Sequence, residues 1–345
     1  MTPYPSAAAL LSIVTLATIS ACSRCSENRV PSVQQPPLDP TERALSIDGY
    51  EALVYGPGPD ATFADTSAIE HETIAKLIPK LLEGSRTVPP PDPRAWQADA
   101  APAGFHIEVW RIDNQTYWSL IESRDRARGA GAYVFRVAPR EDGPAILLEA
   151  PHNFYDLGTG RLAAELFFAS PPGARPRALF TNTIHRYQLA PGNRKRRDHN
   201  PADVAHNSQH AFSIATEAFA IAAGPARVIQ LHGFGSRTDD DGGEIGDVAM
   251  VVSSGQSSGS SPLTGALASA LGGVFGADVK RFPEDVRFLG ATTNAQGRML
   301  RRLDDTAFVH IEMSADLRKR LAASATLRDS LGAIVFNTKA TGNRP

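Results

Sequence analysis

The sequence has little cysteine. Of its 345 residues only Cys22 and Cys25 are cysteines, and both lie near the N-terminus. A chain body without cysteine has no disulfide framework, no zinc module with cysteine ligands and no cysteine nucleophile. An excess of charge of one sign is also lacking, because 35 Lys and Arg residues stand against 37 Asp and Glu residues. No global field therefore attracts an anionic polymer or an anionic membrane, and we expect no nucleic-acid partner.

Long hydrophobic runs are lacking as well. The apolar segment 7–21 (AAALLSIVTLATISA) is too short to span a bilayer comfortably, and it ends in small residues as an export signal does. No Lys or Arg precedes Cys22, but the sequence Ile19-Ser20-Ala21-Cys22 resembles a bacterial lipobox, in which the cysteine is lipidated. We therefore predict an exported lipoprotein of the bacterial cell envelope, anchored through Cys22 in the periplasm or at the outer membrane. Secretion after ordinary cleavage is the alternative.

The remaining composition is that of a globular protein, with 42% hydrophobic and 21% charged residues. We divide the chain into an export signal peptide (1–21), a disordered tether (22–45), an N-terminal elaboration with a β-hairpin (46–140) and an α/β core (141–345). The tether is polar and rich in proline, so it cannot bury enough apolar surface to fold.

Hydrophobic periodicity predicts the elements of the body. We expect strands at 105–112, 116–123, 132–138, 145–151, 177–184, 227–234, 247–254, 287–293 and 307–314. We expect helices at 72–83, with a kink or break at Pro79, and at 160–170, 209–223, 262–276 and 314–336. Strands alternating with helices predict an α/β fold with a mostly parallel or mixed central sheet and helices on both faces.

Polar residues follow the predicted strands where they end. His152 comes directly after the strand at 145–151, Asp156 lies four residues further on, and His232 lies near the end of its own strand. Glu312 lies near the end of the last strand. Because ligands gather at the carboxyl ends of parallel strands, two histidines and a carboxylate there suit an open zinc site. For each histidine taken alone, a hydrogen-bonded or surface residue explains the sequence equally well.

Three motifs carry a family resemblance. They are Ala150-Pro151-His152-Asn153-Phe154-Tyr155-Asp156, Gln230-Leu231-His232-Gly233 and His310-Ile311-Glu312-Met313-Ser314. Their order and strand placement resemble the zinc-dependent carboxypeptidase and amidohydrolase superfamily, which includes zinc carboxypeptidases, aspartoacylase-type deacylases and N-formylglutamate amidohydrolases. The resemblance implies a phosphorylase/hydrolase-like fold.

The resemblance also implies residue roles. It implies that His152, Asp156 and His232 hold Zn²⁺ and that Glu312 is the general base. Two features depart from the family pattern: the spacing here is His-x-x-x-Asp rather than His-x-x-Glu, and Gly233 stands where serine is common. The predicted protein is an exported zinc hydrolase that cleaves an amide or peptide bond.

Polar residues in other segments are candidate substrate contacts. Arg186 and Arg298 could each clamp a carboxylate with the two-pronged face of the guanidinium, and Asn294 and His210 lie in neighbouring polar segments. We therefore expect a small-molecule or peptide substrate that carries a carboxylate. Surface salt bridges for the arginines, and helix capping or packing for His210, are the alternative interpretations.

Two other classes of function stay open. Gly255-Gln256-Ser257-Ser258-Gly259 matches the G-x-S-x-G nucleophile motif between a strand and a helix, with Asp304 or Asp305 and His310 following in hydrolase order. Ser257 would then be the nucleophile of a serine hydrolase that needs no metal. The other alternative is a lipoprotein that uses the same fold as a binding module without catalysis.

Overall fold

The computed structural model describes residues 42–56, 62–170, 175–188, 200–235 and 246–340. The predicted signal peptide, Cys22 and most of the predicted tether lie outside the described residues. Within the part that is described, no helix is both long and apolar enough to cross a membrane.

One ten-stranded sheet organises the described residues. Its strands are β1 (Arg43–Ala44), β2 (Phe105–Ile112), β3 (Gln115–Glu122), β4 (Ala132–Arg136), β5 (Ala145–Ala150), β6 (Ala178–Thr181), β7 (Ala226–Phe234), β8 (Met250–Ser253), β9 (Val279–Arg281) and β10 (Thr306–Ser314). Their order across the sheet is β1-β2-β3-β4-β6-β5-β7-β10-β8-β9. The central strands β6, β5, β7 and β10 are parallel, whereas β2, β3 and β4 form an antiparallel meander joined to β6. The predicted mixed sheet is confirmed.

Helices connect the strands. They are α1 (Ile47–Val54), α2 (Ala68–Gly84), α3 (Gln97–Ala100), α4 (Thr159–Phe168), α5 (Ala211–Ala223), α6 (Pro262–Phe275), α7 (Ala295–Leu300), α8 (Ala315–Ala323) and α9 (Ala325–Asn337). Short 3₁₀ turns occur at Pro93–Trp96, Ala101–Ala103 and Arg124–Arg126. A capping box between Ser67 and Glu70 begins α2, which runs through Pro79 as one helix.

The helices cover both faces of the sheet, as predicted. Successive residues of a strand point to opposite faces, so Leu148 packs in a cluster with α4, α6, α8 and α9 while its neighbour Leu147 packs in a second cluster with α2 and α5. Val228 and Ile229 of β7 divide in the same way. Both faces are buried, which explains why the central strands read as continuous apolar runs.

Besides the break expected at Pro79, which α2 does not show, two sequence predictions are wrong. Residues 287–293 form no strand, because Leu289 and Ala291 have positive φ angles of 56° and 54°, which an extended strand does not allow. The predicted helix at 314–336 is two helices, with Ser324 ending α8 and capping α9. A serine that accepts a hydrogen bond from Leu327 N offers the backbone an alternative to a continuous helix.

Candidate metal centre

A cavity of about 360 Å³ lies at the carboxyl ends of the parallel strands. The segments after β5 and β6, the ends of β7 and β10 and the turn before α7 surround it. Histidines and carboxylates dominate its lining: His152, Asp156, His206, His232, His310 and Glu312. This is the edge at which α/β sheets place their ligands.

Three of these side chains converge. His152 Nδ1 lies 3.6 Å from Asp156 Oδ2, and His232 Nδ1 lies 3.2 Å from the same oxygen. All three residues are at most 4% exposed. Nitrogen and oxygen ligands about 2.1 Å from a tetrahedral zinc ion stand roughly 3.4 Å apart, so this donor set has the spacing that a metal requires. The described residues thus include a group that could hold a metal ion.

Hydrogen bonding orients the His152 ring. Its Nε2 lies 2.8 Å from Asp203 Oδ1, and its Nδ1 lies 3.3 Å from Arg186 Nη1. Arginine offers only donors, so Nδ1 must accept and Nε2 must carry the hydrogen. A carboxylate behind a histidine is the usual arrangement for a metal ligand, and the Nδ1 lone pair that accepts from Arg186 is the one that a metal would take.

The His232 ring is oriented through Gln230. His232 Nε2 lies 3.3 Å from Gln230 Oε1, which also accepts from Asn294 Nδ2 at 2.8 Å. Asn294 Oδ1 accepts from Gly297 N at the start of α7, so the amide of Asn294 can only present its NH₂ group to Gln230. Gln230 Oε1 is therefore an acceptor, His232 Nε2 donates to it, and His232 Nδ1 keeps its lone pair.

The other end of the Gln230 amide meets a buried acid. Gln230 Nε2 donates to Glu149 Oε2 at 2.7 Å, and Thr216 Oγ1 lies 2.5 Å from Glu149 Oε1. The Thr216 hydroxyl also bonds Phe212 O at 2.9 Å, and one hydrogen cannot serve both oxygens. A protonated Glu149 that donates to Thr216 satisfies every contact. Burial also favours the protonated form: it raises the pKa of Glu149 to about 7, although the hydrogen bonds with Thr216 and Gln230 act to lower it.

Electrostatics favour a cation between these donors. Burial lowers the pKa of His232 to about 4, so its ring is neutral. Burial would raise the pKa of Asp156, but the two histidines outweigh it and hold that pKa well below its usual range. Burial would likewise lower the pKa of His152, yet Asp156 and Asp203 raise it. The set combines an ionised carboxylate, a neutral imidazole and a basic imidazole, which suits zinc.

Strand β10 supplies two further side chains to the same cavity. His310 and Glu312 alternate along the strand and point to one face, and Glu312 is in register with His232 of β7. The His310 ring centre lies 4.5 Å from that of His232. His232, His310 and Glu312 form a second group that could hold a metal ion, and it shares His232 with the first.

One arginine ties the segments that carry these side chains. Arg318 of α8 donates from Nε to Leu157 O at 2.9 Å, from Nη1 to Phe234 O at 3.2 Å, and from Nη1 to Met313 O. These carbonyls lie within two residues of Asp156, His232 and Glu312. The guanidinium fills the space beside Gly233, where an added Cβ would lie 2.1 Å from Arg318 Nη1. This close approach explains why glycine occupies that position.

The predicted substrate contacts divide into two pairs. Arg186 and Asn294 line the cavity, whereas Arg298 and His210 are not among its lining residues. Arg298 is exposed and bonds Thr292 O, and His210 caps α5 and stacks on Phe63. The capping alternative for His210 therefore describes its position.

Arg186 is held at the mouth of the cavity. Its guanidinium carbon lies 5.2 Å from the ring centre of Tyr155 and 5.4 Å from that of Tyr187, and it pairs with Asp203. Its Nε has no hydrogen-bond partner among the described residues. This arginine therefore brings a positive charge to the lining of the cavity, with Asp203 as its carboxylate partner.

Ser257 lies apart from this chemistry. The motif does follow β8 and precede α6, but Ser257 is exposed and is not among the residues that line the cavity with His310. No hydrogen bond joins it to a histidine in the part of the chain that the structure describes.

Several site residues escaped the sequence reasoning. Asp203, Gln230, Glu149 and Gln296 have roles that depend on contacts between segments far apart in the chain. The same-face spacing of His310 and Glu312 was the one local signal available. Gln296 completes the network: its Oε1 accepts from Gln230, and its Nε2 donates to Val204 O.

No protein-family model and no curated protein matches the sequence. Solved structures that resemble the chain include an N-formylglutamate amidohydrolase from Ralstonia eutropha (15% identity, TM-score 0.35, 56% of this chain and 93% of that one). An aspartoacylase family protein from Mesorhizobium loti shows 14% identity and a TM-score of 0.33, over 66% of this chain and 63% of that one. A proposed metallopeptidase from Shewanella denitrificans shows 13% identity and a TM-score of 0.38, over 81% and 96%. These are the kinds of protein that the three sequence motifs resemble.

Proposed function

We propose that the protein is a zinc-dependent hydrolase that cleaves an amide or peptide bond. The observation that carries this proposal is the convergence of His152 Nδ1, His232 Nδ1 and Asp156 Oδ2 in a buried, polar cavity. One donor atom of each residue lies within 4.8 Å of the others, and the contacts with Asp203 and Gln230 support tautomers that leave both Nδ1 atoms for a metal. Zinc held there would supply Lewis-acid polarisation of a carbonyl and would acidify water.

Glu312 is the proposed general base. Its carboxylate lines the same cavity, one strand away from His232, so it can take a proton from attacking water and deliver it to the departing amine. The reaction adds water across the C–N bond: the hydroxyl goes to the acyl carbon and a proton goes to the nitrogen. Asp156 is committed to the two histidines, which leaves Glu312 as the carboxylate for proton transfer.

Arg186 is the proposed anchor for a substrate carboxylate. It lines the cavity between two tyrosine rings, and a substrate carboxylate would compete with Asp203 for its guanidinium. A guanidinium pairs with a carboxylate through two parallel hydrogen bonds, so it can orient a peptide C-terminus or the acid group of an N-acyl amino acid.

Metal content tests the proposal. We expect near-stoichiometric zinc in the untagged full chain and its loss in a folded His152→Ala/His232→Ala variant, measured by mass spectrometry of the metal. His310→Ala is the matched control, since it belongs to the second group only and should keep the ion. Wild-type protein that neither contains zinc nor takes it up would overturn the proposal and favour a binding module. Retention of zinc in a His152→Ala single variant, with loss in His310→Ala, would place the ion on the second group, because His152 belongs to the first group only.

We also propose export and lipid attachment at Cys22. The motif Ile19-Ser20-Ala21-Cys22 after an apolar run supports this. Labelling with a radioactive fatty acid in a bacterial host should mark the wild type and not Cys22→Ser. Equal labelling of both would contradict attachment at this residue.

A further inference from the structure

A second cavity of about 480 Å³ opens at the opposite edge of the sheet. Its lining includes Ala145, the first residue of β5, and Arg227, the second residue of β7, so it lies at the amino ends of the parallel strands. From Arg227 to His232 the strand rises roughly 16 Å, which separates this cavity from the candidate metal centre.

Positive charge dominates this lining. The basic residues are Arg86, Arg140, Arg175, Arg177, Arg227 and Lys339. The only acidic residues of the lining are Glu141 and Asp142, and both are exposed to water. The cavity therefore has a surplus of cations, whereas the chain as a whole is nearly neutral.

Two of these arginines are held by carbonyl groups. Arg177 donates to Ala138 O at 2.8 Å and to Pro139 O at 2.9 Å, and Arg227 donates to Thr338 O at 2.8 Å. These contacts fix the guanidinium groups in place without neutralising them. Their charge is thus still available to an anion.

Among these basic residues, Arg86 has the charge that is least balanced by nearby carboxylates and hydrogen-bond acceptors. It is 8% exposed, and its Nε and Nη1 have no hydrogen-bond partner among the described residues. The nearest carboxylate is that of Glu83, 3.9 Å away on a side chain that is itself 70% exposed. Burial, followed by the charges of Arg177 and Arg140, lowers the pKa of Arg86 to about 10. A buried guanidinium with unmet donors costs free energy unless an acceptor reaches it.

We propose that this cavity binds a small phosphate-bearing ligand, with Arg86 and Arg140 as direct donors to its oxygens. A doubly charged phosphate group accepts the paired hydrogen bonds that a guanidinium offers, and Arg86 lines the cavity with its charge uncompensated. The concave shape of the cavity favours a small molecule over an extended polymer.

Calorimetric titration of the full chain tests this proposal. The protein is first treated with EDTA so that no metal competes for the anion, and inorganic phosphate and glycerol 3-phosphate are titrated at constant ionic strength. We expect saturable binding of one phosphate group per chain. Tighter binding of the ester than of inorganic phosphate would identify a phosphorylated metabolite as the ligand; equal binding would identify the free ion.

Variants locate the binding. Arg86→Gln should weaken it about 10- to 100-fold, because a charge-assisted hydrogen bond is lost from a buried site. Arg140→Ala, at an exposed position, should weaken it about 2- to 5-fold. Arg320→Ala removes an exposed arginine outside the cavity and should leave the affinity unchanged, as should Arg186→Ala at the other edge of the sheet.

Two results would overturn the proposal of a phosphate site. Absence of saturable binding would overturn the proposal, as would binding that survives Arg86→Gln and disappears in Arg186→Ala. If Arg86→Gln does not fold, Arg140→Ala decides the question alone, because its side chain is exposed. An affinity that is the same in Arg140→Ala and in the wild type then counts against the cavity.

Discussion

The two edges of the central sheet treat buried charge in opposite ways. At the carboxyl ends the rings of His152 and His232 lie beside the carboxylate of Asp156, and each makes a further contact, with Asp203 or Gln230, that sets its tautomer. At the amino ends the cations outnumber the acids, and Arg86 has donors without acceptors. The comparison teaches that the first edge gathers hydrogen-bond acceptors and the second gathers donors, the pattern on which the proposed cation and anion sites rest.

The largest effect is expected at Glu312, the proposed general base at the carboxyl edge. Glu312→Gln keeps the size of the side chain but cannot accept a proton, so kcat on a cleaved amide should fall about 10²- to 10⁴-fold. Zinc content should not change, because Glu312 is not in the first ligand group. Steady-state kinetics on N-acyl amino acids and dipeptides would measure this.

Ser257→Ala is the matched control for the rival mechanism, and it should retain full activity. Loss of activity in Ser257→Ala, with insensitivity to chelators, would reverse the interpretation. The histidines at the carboxyl edge would then have no role in a metal-assisted hydrolysis.

The next effect concerns the acid behind Gln230. The folded state raises the pKa of Glu149 to about 7 from its ordinary 4.5, so the stability linked to its proton is fully present below pH 4.5 and is lost as the pH rises through 7. Glu149→Gln presents the same contacts as the protonated acid at every pH. In metal-depleted protein we expect equal stability near pH 4 and a variant more stable than wild type by up to about 3 kcal/mol above pH 8. Urea unfolding across that pH range measures the difference in the free energy of unfolding. If wild type and variant have parallel pH profiles, folding does not raise the pKa of Glu149.

Gln230 should give a smaller effect on metal affinity. Gln230→Leu removes the acceptor for His232 Nε2, which releases the ring from its tautomer and should weaken zinc binding about 10- to 100-fold. Competition with a chromogenic chelator would determine the affinity. Thr216→Val, at the far end of the same network, should change it much less; equal losses in both variants would indicate a general packing defect instead.

The smallest effect is expected at the amino edge. In phosphate-free buffer Arg86→Gln should shift the free energy of unfolding by less than about 1 kcal/mol, or stabilise the protein, because it removes a buried charge whose donors are unmet. Thermal unfolding with and without 10 mM phosphate, about the scale at which weak anion sites fill, would separate the two states. A large loss of stability in phosphate-free buffer would mean that Arg86 is already satisfied, and the contrast between the edges would disappear.

Much of this arrangement was predictable from local sequence. Apolar runs ending in His152 and His232 placed both residues at the carboxyl edge, because parallel strands begin and end together. The prediction of a strand at 287–293 failed. Phe288 and Leu289 are apolar, as in a buried strand, but the positive φ of Leu289 prevents an extended conformation. Local patterns cannot show that His152 contacts Asp203, because 51 residues separate the two in the chain. Such partners depend on how loops pack, which periodicity does not encode.

Arg318 has a consequence for how the centre would fail. A single guanidinium holds the backbone beside Asp156, His232 and Glu312, and the bare Cα of Gly233 makes room for it. A side chain at position 233 would displace this clamp and release three segments at once. Asp156, His232 and Glu312 would therefore lose their alignment together, so one substitution at position 233 would disturb both the proposed metal ligands and the proposed base.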